Sequence, residues 1–236
     1  MKELFFETID STNTYLKQNY ENLDNFTFVR ADLQTSGRGR SSRKWLSKKG
    51  DNLLFSLLIK DKELINKYKS LSINSAYLVL KILEEYGLKN LSLKWPNDIY
   101  ANDKKICGIL LESVSKQEIE CLIIGIGLNV NQKEFDGDYL IKPTSMINEL
   151  NKEIDLIELK NKIFNSLLNN LNKDYYTEII KYDYLKNKIV NVVIHNENKT
   201  VKVLGINKDY SLKIVLDEEE RDIYAGEISF HVQGDY

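Results

Sequence analysis

The sequence has few of the residues that build disulfides and metal sites. Its 236 residues include only two cysteines, Cys107 and Cys121, and two histidines, His195 and His231. The cysteines form neither a CxxC pair nor a dense framework, which favours free thiols in a reducing compartment. The histidines lie in separate apolar segments, without a cysteine or a second histidine at ligand spacing. We therefore predict no disulfide scaffold and no zinc site, and we name no metal ligands.

Long apolar runs and a strong charge of one sign are also missing. No apolar run reaches the roughly 18 residues that a membrane span requires, and the N-terminal MKELFFETID enters a strand pattern directly. We therefore expect a cytoplasmic chain without a signal peptide or membrane span. The formal net charge is only −2, so the chain as a whole is not a nucleic-acid polycation.

The glycines and arginines that are present are concentrated in one segment. The chain has eleven glycines, and residues 35–45, TSGRGRSSRKW, contain two of them alternating with arginines. Glycine lets the backbone approach a ligand closely, and arginine supplies a charged, planar donor fork for carboxylate and phosphate oxygens. The segment is therefore suited to hold anions, although taken alone it also fits a flexible, solvated basic loop.

Two further segments favour a binding site over a solvated loop. Residues 94–98, KWPND, use one of only two prolines and one of only two tryptophans. Pro96 should end strand pairing because it has no N–H to donate, which leaves Lys94 at a strand end, facing a ligand or in a surface ion pair. Residues 123–131, IIGIGLNVN, place two glycines in an apolar strand. Such glycines mark a close approach by ligand or backbone, or relieve crowding against a helix.

The hydrophobic pattern predicts an α/β (α+β) chain with a mixed central sheet and flanking helices, followed by a small all-β region. We place the boundary so that residues 1–184 form one domain and 185–236 another. Strands are expected at 4–9, 27–33, 53–59, 91–94, 99–101, 106–114 and 119–130, and helices at 12–20, 71–87, 144–150 and 156–180. In the second domain, short strands are expected at 189–194, 200–206, 212–216, 222–224 and 227–232.

Taken together, six segments in this order resemble the biotin–protein ligases. They are DSTN at 10–13, QTSGRGR with RKW at 34–45, KWPND at 94–98, KICGIL at 105–110, GIGLN at 125–129 and GEIS at 226–229. The resemblance implies a catalytic domain like that of class II aminoacyl-tRNA synthetases and a C-terminal SH3-like β-barrel. Because the pattern begins at residue 4, we expect the short form of the family, without an N-terminal DNA-binding domain and without DNA as a partner.

The resemblance also implies a two-step reaction. The biotin carboxylate attacks the α-phosphate of ATP, used as its Mg²⁺ complex, to give biotinyl-5′-AMP and pyrophosphate. A lysine of a biotin carboxyl carrier protein then displaces AMP. Family members are monomers or homodimers, and no interface can be read from this sequence.

Specific residues follow from the same motifs. The resemblance implies Lys94, Arg38 and Arg40 as catalytic residues. For biotin it implies Ser11, Thr12, Asn13, Gln34, Gly37, Arg38, Gly39, Arg40, Lys94 and Gly108. For ATP it implies Arg40, Arg43, Trp45, Lys94, Lys105 and Asn129.

One departure and two alternatives remain. His231 stands where a related sequence can have arginine, which leaves the contribution of the second domain to ATP binding open. A lipoate–protein ligase would share the adenylation chemistry, although GRGR followed by KWPND fits the biotin branch better. A nucleic-acid or ligand-sensing module is the alternative of a different class, and the near-neutral charge argues against it.

Overall fold

The computed structural model describes residues 2–40, 43–136, 139, 141–194 and 197–230, which form two β-sheets with flanking helices. The strands are β1 (Lys2–Ile9), β2 (Thr27–Gln34), β3 (Leu53–Ile59), β4 (Leu91–Lys94), β5 (Asp98–Ala101), β6 (Lys104–Ser115), β7 (Ile119–Leu128), β8 (Ile189–Ile194), β9 (Glu197–Ile206), β10 (Leu212–Leu216), β11 (Glu219–Ile223) and β12 (Ile228–Phe230). The helices are α1 (Thr12–Asn19), α2 (Lys62–Asn66), α3 (Tyr68–Glu85), α4 (Met146–Leu150), α5 (Leu156–Asn170) and α6 (Tyr176–Ile179).

The larger sheet has seven strands in the order β1-β2-β3-β7-β6-β5-β4. Only the β1–β2 pair is parallel, so the sheet is mixed as predicted. Every residue of β3 is buried, which explains its continuous apolar sequence LLFSLLI in place of an alternating one. The seven strands expected before residue 131 all form, each within two residues of its expected ends.

Helices cover both faces of this sheet. On one face, α1 packs its Leu16 with Val29, Leu58 and Ile123 of the sheet. On the other face, α3 and α5 pack in the main core, where Phe164 of α5 stacks on Phe28 with ring centroids 3.8 Å apart. The predicted class, a mixed sheet with flanking helices, is confirmed.

The prediction of one helix over residues 156–180 was wrong. Helix α5 ends at Asn170, and the separate short helix α6 begins at Tyr176. The intervening polar residues hydrogen-bond outside a helix: the Asp174 carboxylate accepts from the backbone N–H of Tyr176, and Lys67 donates to the carbonyl of Asn172. The Asp174 side chain shows how Asp and Asn compete with the hydrogen bonds of a helix. A pattern of apolar residues alone does not reveal this competition.

The second sheet is antiparallel, with the strand order β11-β10-β9-β8-β12. Within the described residues its two outer strands do not pair, so the SH3-like barrel stays a prediction. Its apolar side chains join the same buried cluster as those of the first sheet, and Trp95 donates its indole N–H to the Tyr210 carbonyl at 2.9 Å. The division at residue 184 therefore remains a proposal. His195 and His231 lie outside the described residues.

No helix in the described part of the chain is long and apolar enough to cross a membrane.

Candidate active site

A cleft lies over one face of β6 and β7, and its volume, including the part open to solvent, is about 1030 Å³. The start of α1, the end of β2, the glycine–arginine loop (residues 35–45) and the turn between β4 and β5 surround it, and β12 contributes one ring. The lining residues are Ser11, Thr12, Asn13, Gln34, Arg38, Gly39, Arg40, Arg43, Lys44, Trp45, Phe55, Lys94, Trp95, Asn97, Asp98, Lys105, Gly108, Ile109, Leu110, Gly125, Ile126, Gly127, Ile141 and Phe230.

Glycines of the two central strands make the floor of this cleft. Gly108 of β6 and Gly127 of β7 are register partners, and the indole of Trp45 lies directly over them. A Cβ atom at position 127 would stand 2.5 Å from the Trp45 ring, and one at position 108 would stand 3.0 Å from it. Only glycine leaves room for the ring at position 127, which accounts for one glycine of the GIG motif by close packing.

Gly125, two residues earlier on the same face of β7, makes room for the side chain of Asn13. A Cβ atom there would lie 2.2 Å from the Asn13 amide oxygen. Asn13 is almost fully buried at the start of α1, where the Ser11 hydroxyl caps the helix by accepting from the backbone N–H of Thr14. The capping role of Ser11 and the site role of its neighbours therefore occupy the same turn.

A chain of hydrogen bonds connects the neutral polar groups at this end of the cleft. The side-chain amide oxygen of Gln34 accepts from the backbone N–H of Thr12 at 2.8 Å, and the hydroxyls of Thr12 and Ser56 are 2.6 Å apart. Ser56 donates to the Asn13 amide oxygen at 2.5 Å, and the Asn13 amide nitrogen donates to Glu112 at 2.9 Å. We call this end of the cleft the neutral end, because amides and hydroxyls line its floor and its two charged side chains, Glu112 and Arg38, pair with each other.

Cations gather at the other end, around the start of β6 and the end of β4. Lys105 forms an ion pair with Asp98 at 2.8 Å, and its Nζ lies 5.7 Å from the centre of the Trp45 ring. Lys94 donates to the hydroxyl of Tyr100 at 3.2 Å. We call this the cationic end.

The ammonium of Lys94 is poorly solvated. Burial lowers the pKa of Lys94 to about 8; the nearby Asp98 opposes this shift, and the Lys105 cation adds to it. Its partner Tyr100 is almost fully buried, and burial raises the pKa of that phenol, so the hydroxyl stays neutral. An amine whose pKa lies this close to neutrality, facing a cleft, is a mark of functional sites.

The glycine–arginine loop rests on the C-terminal sheet. Arg40 donates to the carbonyl oxygens of Ala225 and Ile228 and to the side chain of Asn97. Arg43 donates to the carbonyl of Phe230 at 2.9 Å. Both guanidinium groups therefore face neutral backbone oxygens, with donor capacity left for an anion.

The structure brings most of the sequence-predicted residues into this one cleft. Two do not line it. Gly37 is a buried residue of the loop, where its carbonyl accepts from the backbone N–H of Trp45 at 2.9 Å and so fixes the backbone of that residue. Asn129 is buried beyond the end of β7 and donates to the Thr144 carbonyl, so its side chain fixes the segment leading into α4.

Several residues of the site escaped the sequence reasoning. Ser56 and Glu112 lie behind the cleft lining, and only their contacts with Asn13 reveal them. Asp98 and Asn97 belong to the KWPND motif, so the motif itself was an available signal for them. Phe230 comes from the distant C-terminal sheet and carries no local signal.

Comparison with known proteins agrees with this geometry. The model of the biotin/lipoate A/B protein ligase family matches residues 5–129, just over half of the chain. The chain belongs to this family. The matched segment includes the neutral end, the glycine–arginine loop, the KWPND turn and the glycine floor, and it stops before the C-terminal sheet.

Curated relatives include two bacterial proteins named bifunctional ligase/repressor BirA. The chain is 39% identical to that of Bacillus subtilis strain 168 over 132 residues, which is 55% of this chain and 41% of the relative. It is 33% identical to that of Escherichia coli K12 over 129 residues, 54% of this chain and 40% of the relative. The matched segment thus spans about two fifths of the length of these relatives.

A solved structure extends the likeness over nearly the whole chain. The biotin protein ligase of Aquifex aeolicus, in complex with biotin and ATP, superimposes with a TM-score of 0.85 at 31% identity. The superposition covers 98% of this chain and 99% of the other, so it includes the C-terminal sheet as well as the family segment.

Proposed function

We propose that this chain is a biotin–protein ligase. It joins biotin to ATP to give biotinyl-5′-AMP and pyrophosphate, and then transfers the biotinyl group to a lysine of a biotin carboxyl carrier protein. The observation that carries the proposal is the pairing of a neutral end with a cationic end in one cleft. Its support from outside the chain is the fold shared with a ligase that holds biotin and ATP.

The neutral end suits the ring system of biotin. A ureido group offers two N–H donors and one carbonyl, and the rest of the molecule is apolar, so its pocket needs a few short polar groups on an apolar wall. Ser11, Thr12 and Gln34 supply hydroxyl and amide partners, and Leu110 and Trp45 supply apolar surface. We assign biotin's ring to this end, with its carboxylate directed toward Lys94.

The cationic end suits the reacting anions. A carboxylate that attacks an α-phosphate brings two negative groups together, and fixed positive charges in a water-poor site stabilise that transition state. We assign Lys94 to the space between the carboxylate and the α-phosphate, and Lys105, Arg40 and Arg43 to the phosphate oxygens. Proximity and charge are the main contributions of the protein, because no covalent enzyme intermediate is required.

The middle of the cleft suits the nucleotide. The Trp45 indole over Gly108 and Gly127 offers a flat apolar surface for a base or for biotin's thiophane ring. Magnesium enters as the ATP complex, in which phosphate oxygens and water supply most of its ligands. Asp98 is the one carboxylate among the described residues that line the cleft, so we assign it to such an ion. Its position is fixed by the ion pair with Lys105.

Pyrophosphate exchange into ATP tests the proposal and separates it from the lipoate alternative. We expect exchange that depends on biotin and proceeds at least tenfold more slowly with lipoate, a difference of about 1.4 kcal/mol in transition-state binding. Exchange that occurs with lipoate and not with biotin would identify lipoate as the substrate. Salt-dependent binding of RNA without exchange in either case would support the nucleic-acid module.

Biotin binding should depend on pH through Lys94. In the free protein its pKa is about 8, so the side chain is mostly an ammonium below pH 8 and mostly a neutral amine above it. A bound carboxylate favours the ammonium and raises this pKa, so binding takes up a proton above pH 8. The affinity should be constant near pH 7 and fall by up to about tenfold per pH unit above 8.

Calorimetry at several pH values measures this dependence. Lys94→Arg serves as the control, since its guanidinium stays charged throughout the range and should remove the slope. An affinity for biotin that is unchanged from about pH 7 to about pH 9.5 in the wild-type protein would contradict a carboxylate beside Lys94.

Arg40 should help to retain the reactive adenylate. It connects the glycine–arginine loop to the C-terminal sheet through Ala225 and Ile228, and so holds the loop over the cleft. A mixed anhydride reacts with any amine, so the site must stay closed until the carrier arrives. We expect Arg40→Gly to keep partial adenylation, to release adenylate faster and to label unrelated lysines.

A blot of total protein after incubation with biotin and ATP measures this labelling. Arg221→Ala is the matched control, because that arginine pairs with Glu219 on the edge of the second sheet. Labelling confined to the carrier, with adenylate release as slow as in the wild type, would remove Arg40 from this role.

A further inference from the structure

Glu112 joins the two sides of the neutral end. It lies on β6, and a single carboxylate oxygen accepts from the Asn13 amide at 2.9 Å and from the Arg38 guanidinium at 2.9 Å. Its other oxygen lies 3.5 Å from the ammonium of Lys17 on α1. The carboxylate therefore connects the floor of the cleft, the first helix and the glycine–arginine loop.

This carboxylate is the nearer of two acceptors that orient the Asn13 amide, whose nitrogen donates to Glu112 at 2.9 Å and to the Leu110 carbonyl oxygen at 3.5 Å. The Asn13 amide oxygen accepts from the buried hydroxyl of Ser56, and the absence of a side chain at Gly125 gives that oxygen its space. A carboxylate can only accept, so it selects the orientation in which the amide nitrogen faces Glu112 and the amide oxygen faces Ser56. With its proton on Asn13, Ser56 accepts from the Thr12 hydroxyl, and the Gln34 side-chain oxygen accepts from the backbone N–H of Thr12.

Arg38 depends on the same carboxylate for its position over the cleft. Its backbone is bridged to Lys44 within the loop, but its long side chain is 43% exposed and reaches out from that bridge. The charge-assisted hydrogen bond to Glu112, itself only 18% exposed, is directional and partly shielded from water. Without it, an exposed arginine on such a loop would sample many rotamers.

We infer that Glu112 is a positioning residue for the small-molecule substrate, one that sets the donor pattern of the neutral end and holds Arg38 across it. This inference rests on the proposed function, since the substrate in question is biotin. Glu112 is expected to act through Asn13 and Arg38 without touching the reacting atoms. Its loss should therefore weaken biotin binding and leave the chemistry at Lys94 largely intact.

Glu112→Gln removes the charge and keeps the shape. In biotin-dependent pyrophosphate exchange, we expect the KM for biotin to rise about tenfold, with the KM for ATP and kcat within about threefold of the wild type. Glu120→Gln is the matched control: Glu120 is also partly buried, on the neighbouring strand, but its partners Tyr20 and Lys116 do not line the cleft. It should change neither KM.

A double-mutant cycle separates positioning from a structural effect. If Glu112 acts partly through Arg38, Glu112→Gln should raise the biotin KM less in the Arg38→Gln background than in the wild type, and the part that acts through Asn13 should remain. Arg38→Gln alters an exposed side chain, so it also breaks the contact from the loop side if Glu112→Gln folds poorly. In that case Glu112→Asp, which keeps the charge and draws the carboxylate back by one methylene group, takes the place of Glu112→Gln: a raised biotin KM with an unchanged ATP KM supports the inference, and unchanged values for both overturn it.

The outcomes distinguish the two levels of the account. A wild-type protein without biotin-dependent exchange overturns the proposed function, and this inference with it. An active wild type with a biotin KM unchanged in Glu112→Gln overturns the inference alone, as does an equal rise in the KM values for biotin and ATP. Full additivity in the cycle would show that Glu112 does not act through Arg38.

Discussion

Replacing Lys94 with alanine is expected to abolish adenylate formation. The side chain is the poorly solvated ammonium of the cleft, and it lies where two anions must converge in the proposed reaction. Removing one preorganised charge of this kind costs on the order of 3 kcal/mol or more in the transition state, a loss of roughly a hundredfold or greater.

The fold should tolerate the loss of Lys94. Its lowered pKa shows that the folded protein disfavours the ammonium, so an apolar replacement such as Lys94→Met should unfold at the same temperature as the wild type or a higher one. Lys162→Ala, which removes an exposed lysine paired with Glu158 on α5, is the control and should leave exchange unchanged. Turnover of Lys94→Ala within a few-fold of wild type would refute the central role of Lys94.

Gly127→Ala is expected to reduce adenylate formation at least tenfold, equivalent to about 1.4 kcal/mol. The added methyl group would stand 2.5 Å from the indole of Trp45, a separation that forces the ring to move. Since Trp45 belongs to a surface loop while Gly127 lies in a central strand, we expect the indole to be displaced and the sheet to keep its register. The free energy of unfolding should therefore fall by less than the roughly 1–3 kcal/mol that overpacking a closed core usually costs.

Two variants test whether the ring carries this effect. Gly226→Ala adds a methyl group where no atom lies within 4 Å, and it should be silent. Trp45→Ala should by itself resemble Gly127→Ala, and the double variant should be no worse than either single one. If the two losses add in the double variant, the glycine serves some purpose other than making room for Trp45.

Local sequence was sufficient to predict the first sheet and much of the cleft. The strands that frame the cleft are continuous apolar runs bounded by turn residues, and β3 is read from its seven residues alone. Lys94 could be placed because Pro96 ends the strand before the next one begins at Asp98. Gly125 and Gly127 stand out because glycine is rare inside strands, although the atoms that they make room for belong to distant segments.

Contacts between distant segments could not be read in the same way. No local pattern marks Ser56, in a buried strand, or Glu112, in a partly exposed one, and their partner Asn13 on α1 is more than forty residues away. Asn129 shows the opposite case, since its motif suggested a ligand contact and its amide instead holds the Thr144 carbonyl. The meeting of Arg40 with Ala225 depends on how the two sheets pack, which no local pattern specifies.

The most direct test of the account is mass spectrometry of a biotin carboxyl carrier domain after incubation with this protein, biotin and ATP. The account predicts one biotinyl group on one lysine of the carrier, with AMP and pyrophosphate released and no modification when biotin or ATP is omitted. An unmodified carrier, under conditions in which a known biotin–protein ligase modifies it fully, would contradict the proposed function.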